Sequence, residues 1–226
     1  MNDKFYNREI VLTSDGSSSI YLPEFNEHYH STHGAVQESR HVFMKRGWEE
    51  VIRGKSSIEI LEVGFGTGLN AWLVYEETLS GNSPEVYYSA IEAFPVTTEM
   101  ASLLNYCSPE QKAEFMKLHE ADWNAGITIS LQFILEKIQT TLADFVPFRK
   151  YDLVFFDAFA PRVQPEMWTK EVFDKMFAAM SPGGILVTYC SKGEVRRNMI
   201  AAGFTVEKVP GPPGKREMLR AVKSDE

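Results

Sequence analysis

The run Glu62-Val63-Gly64-Phe65-Gly66-Thr67-Gly68 has the residue types that let a backbone approach a small ligand closely. Glycine tolerates positive φ and puts no side chain between main chain and ligand. The run lies between the apolar stretch IEILEV and the amphipathic LNAWLVYEETL, so it reads as a strand-to-helix turn bordered by free helix N–H groups. Its spacing is G-x-G-x-G. Leu69 stands where a dinucleotide fingerprint has its third glycine, and the Gly-Lys-Ser/Thr ending of a P-loop is missing. Further acids follow in order. Glu92 closes the run VYYSAIE, where a Rossmann-like sheet sets an acid against ribose hydroxyls. Asp122 is read as following the third strand, on the adenine side of such a ligand. Asp157 ends YDLVFFD and opens Asp157-Ala158-Phe159-Ala160-Pro161. Open α/β sheets bind their ligands at the carboxyl ends of such strands. A carboxylate there can orient an amine nitrogen and help remove a proton from an incoming ammonium.

These residues need a scaffold to hold them. From Ser57 onward apolar runs and helical patterns alternate, which predicts a doubly wound, mainly parallel sheet. The last two runs, FTVEKV and REMLRAV, are joined by a Pro/Gly loop too short for a parallel crossover, so they predict an antiparallel hairpin. Residues 1–56 read as an appendage and 57–226 as the main domain. In the appendage, Asp15-Gly16 suggests a hairpin turn, and Gln37 to Arg53 a helix burying Val42, Phe43, Trp48, Val51 and Ile52. In the main domain, Leu69, Trp72, Leu73 and Leu79 share one helical face, as do Trp168, Phe173, Met176 and Met180. EVRRNMIAAG predicts a short helix closed by Gly203, with Val195, Met199 and Ile200 inward and Arg196 and Arg197 opposite. Residues 124–148 are the least legible; ITISLQFIL suits a strand or a helix start equally.

The composition, 44% hydrophobic and 24% charged over 226 residues, is that of an ordinary globular protein. Cys107 and Cys190 form no CxxC pattern, which speaks for a reducing cytosol and against structural zinc. Cys190 reads as a small buried residue rather than a nucleophile. His28, His30 and His33 complete no known ligand set, and no metal is expected. No membrane span is expected either, and the chain reads as cytoplasmic. The net charge of −8 argues against nucleic acid, but Lys192 to Lys223 holds eight Lys/Arg against three Asp/Glu. A basic segment on an acidic body can be a footprint for phosphate, with Lys215, Arg216, Arg196 and Arg197 as its candidate contacts.

EVGFGTGLN, the IEAFP turn, FFDAFAP with QPEMW, the VRR helix and GPPGKREMLRA together resemble the methyltransferase family of the MnmC and MnmD wobble-uridine enzymes. Tyr29, Ser31, Gly34 and ESRHVF extend the resemblance over nearly the whole chain. FDAFAP with MW, joined to GKREML, is not shared by generic class I enzymes. The resemblance implies a class I S-adenosylmethionine-dependent methyltransferase fold and S-adenosyl-L-methionine as cofactor. Glu62, Gly64, Gly66, Gly68, Glu92 and Asp122 would then be the cofactor site, and Asp157 the catalytic residue. It further implies methyl transfer to the amine of 5-aminomethyl-2-thiouridine at the tRNA wobble position, giving the 5-methylaminomethyl form. The tRNA anticodon stem-loop would be the partner, and no oxidase segment is expected after Ala221, so separate enzymes would supply the amine. Residues 123–147 match the family poorly, which leaves a role for Trp123 open.

Three other functions compete. A dinucleotide-dependent oxidoreductase is opposed by the missing third glycine. An N-methyltransferase of a small-molecule amine shares the cofactor, but the basic carboxyl-terminal segment favours RNA. An inert RNA-binding module is opposed by an intact glycine loop beside Asp157. Trp168 either stacks on a base or packs on the sheet.

Overall fold

The computed structural model describes residues 7–224. Its first strands, β1 (Glu9–Leu12), β2 (Ser18–Leu22) and β3 (Glu27–His28), form a small antiparallel sheet, with the predicted turn at Asp15-Gly16 between the first two. A helical stretch follows: α1 (Ala35–Ser39), a π-helical segment (Arg40–Trp48) and α2 (Glu49–Val51). Val42, Phe43, Trp48 and Val51 are buried as expected, and they join one cluster with Ile58 and Phe155 of the main sheet. Residues 1–56 were expected to be an appendage, yet their described part shares its core with the main sheet.

The main sheet begins at β4 (Ser57–Val63), which is apolar on both faces because it is covered on both. After it come α3 (Leu69–Thr78), β5 (Glu85–Glu92), α4 (Thr98–Ser102), α5 (Lys112–Glu120), β6 (Gly126–Ser130), β7 (Phe133–Gln139) and β8 (Tyr151–Phe156). Then follow α6 (Lys170–Ala179), β9 (Met180–Thr188), α7 (Gly193–Ala201), β10 (Thr205–Pro210) and β11 (Glu217–Val222). The strand order is β10-β11-β9-β8-β4-β5-β7-β6. The five inner strands β9, β8, β4, β5 and β7 run parallel; β6 and β11 run opposite to them, and β10 pairs antiparallel with β11. The first strand in sequence lies at the centre, so successive crossovers leave it in opposite directions. A crevice opens where they part, between β4 and β8. Val63 pairs with Phe156 and with Ile91, so the three strands end level and their following loops converge.

The terminal hairpin and the helix closed by Gly203 form as predicted. Trp168, Phe173, Met176 and Met180 are all buried, but only Phe173 and Met176 lie on α6, Trp168 being in a 3-10 turn before it and Met180 opening β9. One open alternative is decided and two expectations are corrected. The stretch 126–139 is a β-hairpin, and its second strand is the third parallel strand of the sheet. Phe133, Leu135 and Lys137 alternate inward along it, a period of two. Leu79 lies past the end of α3 and is 54% exposed; Ile200 on α7 is 44% exposed. No helix among the described residues is long and apolar enough to cross a membrane.

Candidate active site

The glycine loop turns back over the sheet directly after Val63. Gly64 N and Phe65 N donate to Ile91 O at 2.9 and 3.2 Å. Gly66 N donates to Glu92 Oε2 at 3.0 Å, and Phe94 N donates to Glu92 Oε1 at 2.8 Å. Glu92 therefore clamps the loop after β4 to the turn after β5. The glycines are required by space as well as by φ. At Gly64, φ is 94° and a Cβ would lie 2.8 Å from the Asp157 carbonyl oxygen. At Gly66, φ is 50° and a Cβ would lie 3.2 Å from the Tyr29 ring. Asp157 N donates to Val63 O at 3.0 Å, which ties the two loops to one strand end.

A cavity of about 920 Å³ opens at these ends, walled on the amino-terminal side by Tyr29 and Glu38. Asn70, in the first turn of α3, bridges two acids: its Nδ2 donates to Glu62 Oε1 and to Asp157 Oδ2, each at 2.9 Å. Burial pushes the Asp157 carboxyl up to about 7; Glu38 adds to this, while Asn70 and Lys215 oppose it. Burial also holds Glu62 well above the usual carboxylate range, with the Asn70 hydrogen bond opposing and Asp157 reinforcing. Near neutral pH Asp157 can therefore take or release a proton. A base poised near the working pH is what proton transfer calls for. Lys215 also lines this cavity. Its Nζ lies 2.7 Å from Glu38 Oε1 and 4.1 Å from the centre of the Tyr189 ring. Tyr189 Oη donates to Ala158 O at 2.8 Å, and Glu38 Oε2 accepts from Ser31 N at 2.8 Å. Tyr29 meets Phe159 edge-on with ring centres 5.1 Å apart.

Of the residues singled out from sequence, Gly64, Gly66, Glu92, Asp157 and Lys215 meet at this cavity, whereas Glu62 does not line it: it is buried beneath the loop and held by Asn70. Gly68 stands behind it, where a Cβ would press to 2.9 Å from His119 Nε2. Asp122 is not brought to the cavity. It is exposed and follows helix α5 rather than a parallel strand, and its charge acts on the buried Lys137. The third parallel strand comes later in the chain, as β7, and its end delivers Thr140 and Thr141 instead. Trp123 packs edge-on to Phe65, with Lys137 Nζ 4.7 Å from its ring centre. Trp168 packs on the sheet beside Phe156 and donates through Nε1 to Phe159 O at 2.9 Å, so base stacking is not its role. Arg216 and Arg197 are exposed and Arg196 is half-buried. Helix α7 sends Val195 and Met199 into the layer of Trp168, whereas Lys215 reaches Glu38 on the opposite layer. The sequence reading passed over Asn70, Glu38 and Tyr189. An Asn inside the apolar LNAWLVY and a Glu before the buried helix of ESRHVF were the signals available, since a buried polar group needs a partner.

A family model described as an S-adenosyl-L-methionine-dependent methyltransferase matches residues 97–224. The chain belongs to that family. The methyltransferase is 30% identical over 229 residues to the tRNA 5-methylaminomethyl-2-thiouridine biosynthesis bifunctional protein MnmC of Cupriavidus metallidurans. That alignment covers 94% of this chain and 33% of the relative. The protein of the same name from Aeromonas salmonicida is 33% identical over 224 residues, covering 89% of this chain and 33% of its own length. The chain therefore spans about a third of the length of the curated relatives it matches. The crystal structure of MNMC2 from Aquifex aeolicus superposes with a TM-score of 0.80 at 26% identity, covering 100% of this methyltransferase and 72% of that chain.

The site fits the family's cofactor, S-adenosylmethionine. Gly66 keeps clear a cradle that a Cβ would fill, and the buried Asn70 Oδ1 has no hydrogen-bond partner among the described residues. The cavity volume lies within the usual range for ligand sites, about 300–1,000 Å³.

Proposed function

We propose that this methyltransferase methylates the amine of 5-aminomethyl-2-thiouridine at the wobble position of tRNA, giving 5-methylaminomethyl-2-thiouridine. The observation that carries this reading is Asp157: a carboxylate raised to about 7, placed beside the glycine loop and held by Asn70. The names of the relatives, which cover a third of those proteins, supply the acceptor's identity. The bound cofactor supplies an electrophilic methyl group on a sulfonium. Gly64, Gly66 and Glu92 would hold it, with Thr140 and Thr141 in the place first assigned to Asp122.

The chain's own groups do the rest. An alkylammonium has no lone pair to offer, so a proton must leave before the nitrogen can react. Asp157 accepts that proton and then a hydrogen bond from the neutral amine, which fixes the direction of its lone pair. Asn70 keeps the carboxylate from rotating away, at the cost of lowering its basicity. Tyr29 and Phe159 form an aromatic wall that keeps bulk water from competing for the amine. Arg216, Arg196 and Arg197 meet phosphates of the anticodon stem-loop, a contact that adds affinity without reading bases. The amine comes from separate enzymes, and the reaction takes place in the cytoplasm.

Nucleoside analysis of tRNA from a strain lacking the gene tests this reading. Aminomethyl-2-thiouridine should accumulate and its methylated form should disappear. An unchanged nucleoside profile would assign the acceptor to another molecule.

A further inference from the structure

Lys215 looks from sequence like a phosphate contact, and its surroundings contradict that. Its ammonium is 2.7 Å from Glu38 Oε1, and the Glu38 side chain is only 9% exposed. Drawing Lys215 out to a phosphate would leave this buried carboxylate without its cation, which is costly. The ammonium also faces the Tyr189 ring at 4.1 Å, an arrangement that favours a cation at that spot. The loop that carries it, between β10 and β11, is fixed from the same side by His41, whose Nε2 is 2.8 Å from Pro210 O.

We propose that Lys215 is a positioning residue for the methyl-transfer site: held by Glu38 and Tyr189 in the cavity that Asp157 also lines, its positive charge favours the ionised carboxylate that takes the acceptor's proton. This rests on the amine reading of the site given above. The groups that act on Asp157 come from every neighbouring element. Glu38 on α1 and burial disfavour its charge; Asn70 on α3 and Lys215 favour it. Glu62 at the end of β4 and Tyr88 on β5 lie behind it, and Tyr189 after β9 lies beside Lys215. Of these groups only Lys215 is a cation. The step itself is a proton transfer: the acceptor ammonium gives its proton to a carboxylate oxygen of Asp157, and the nitrogen keeps the electron pair. A second positive charge nearby also disfavours the ammonium form of the acceptor. In the transfer itself the two effects offset each other: the charge keeps the base free but weakens it, while it eases loss of the acceptor's proton.

The test uses Lys215→Met, Lys215→Arg and Glu38→Gln, with two readouts. The first is the titration midpoint of Asp157, followed by carbon NMR on the cofactor-free protein. The second is kcat/KM against pH with aminomethyl-bearing tRNA at saturating S-adenosylmethionine. In Lys215→Met the midpoint and the acid limb of the profile should both rise by about one pH unit. The rate below the limb then falls about tenfold, because each unit of midpoint is a factor of ten in ionised base. Lys215→Arg should restore both, and Glu38→Gln should move the midpoint down. An unmoved midpoint in Lys215→Met overturns the proposal. So does a Lys215→Met enzyme whose only defects are a raised KM for tRNA and a flatter salt dependence, the signature of a phosphate contact. If wild-type protein fails to methylate the tRNA, the functional reading fails, while the midpoints still decide the role of Lys215. If Lys215→Met does not fold, Lys215→Gln, read in the same way, decides it.

Discussion

Asp157→Ala is expected to lower kcat for methyl transfer by roughly 10²-fold or more, with S-adenosylmethionine affinity little changed. The carboxylate works on the acceptor, so its loss appears in the chemical step. Asp157→Asn separates its two tasks, since an amide oxygen still accepts a hydrogen bond but takes no proton at neutral pH. Full activity in the Asn variant would remove the proton role and leave orientation alone. The same substitution has a stability consequence of the opposite sign. Burial pushes the folded carboxyl from its ordinary 3.8 up to about 7. Between these pH values the folded protein holds the proton more tightly than the unfolded chain, so this group's contribution falls as pH rises towards 7. Asp157→Asn should therefore melt higher than wild type at pH 8, by a few degrees. Near pH 4 the two should melt together. The gain is at most about 4 kcal/mol at 1.36 kcal/mol per unit, and water in the open cavity lowers it. A less active variant that is more stable is the expected signature of a strained functional carboxylate. Equal melting temperatures at pH 8 would show that Asp157 carries no such cost.

Glu92→Ala is expected to weaken S-adenosylmethionine binding at least tenfold. A carboxylate accepting from hydroxyls contributes roughly 1.5–3 kcal/mol. The hydrogen bonds from Gly66 N and Phe94 N add a second route, because Ala releases the glycine loop from the turn after β5. Part of the loss is therefore a loss of loop order. Glu92→Gln keeps one acceptor oxygen and should fall between Ala and wild type. Calorimetry of cofactor binding checks the order of the three proteins. Wild-type affinity in Glu92→Ala would move the ribose contact to another residue.

What the sequence shows about this site divides along a physical line. The glycine loop, Glu92 and Asp157 are each set by local rules: a strand runs out, and the next residues must face the crevice. They were legible because IEILEV, VYYSAIE and YDLVFFD announce their strands by apolar runs. Asp122 was misplaced because the third strand was sought too early. FILEKIQ has a charged residue at an inward position, Lys137, whose ammonium donates to His119 O at 2.6 Å. That contact joins positions far apart in the chain, and periodicity alone cannot show it. The ion pair of Lys215 escapes the sequence for a related reason. Local charge density near the carboxyl terminus is basic, but the deciding neighbour, Glu38, is 177 residues away. Asn70 sits in a helix whose other residues are mostly apolar. Its partners Glu62 and Asp157 come from two different strands, and only the completed sheet brings them within 2.9 Å.

The central claim is that the acceptor is an amine on tRNA. The most direct measurement incubates the purified protein with S-adenosylmethionine and tRNA carrying 5-aminomethyl-2-thiouridine, followed by mass analysis of the nucleosides. Tests with Asp157→Ala and with simple alkylamines run alongside. The account predicts one added methyl group on the wobble nucleoside with wild type, far less with Asp157→Ala, and little turnover of the free amines. Turnover of free amines as fast as tRNA, or no methylated nucleoside at all, would contradict it.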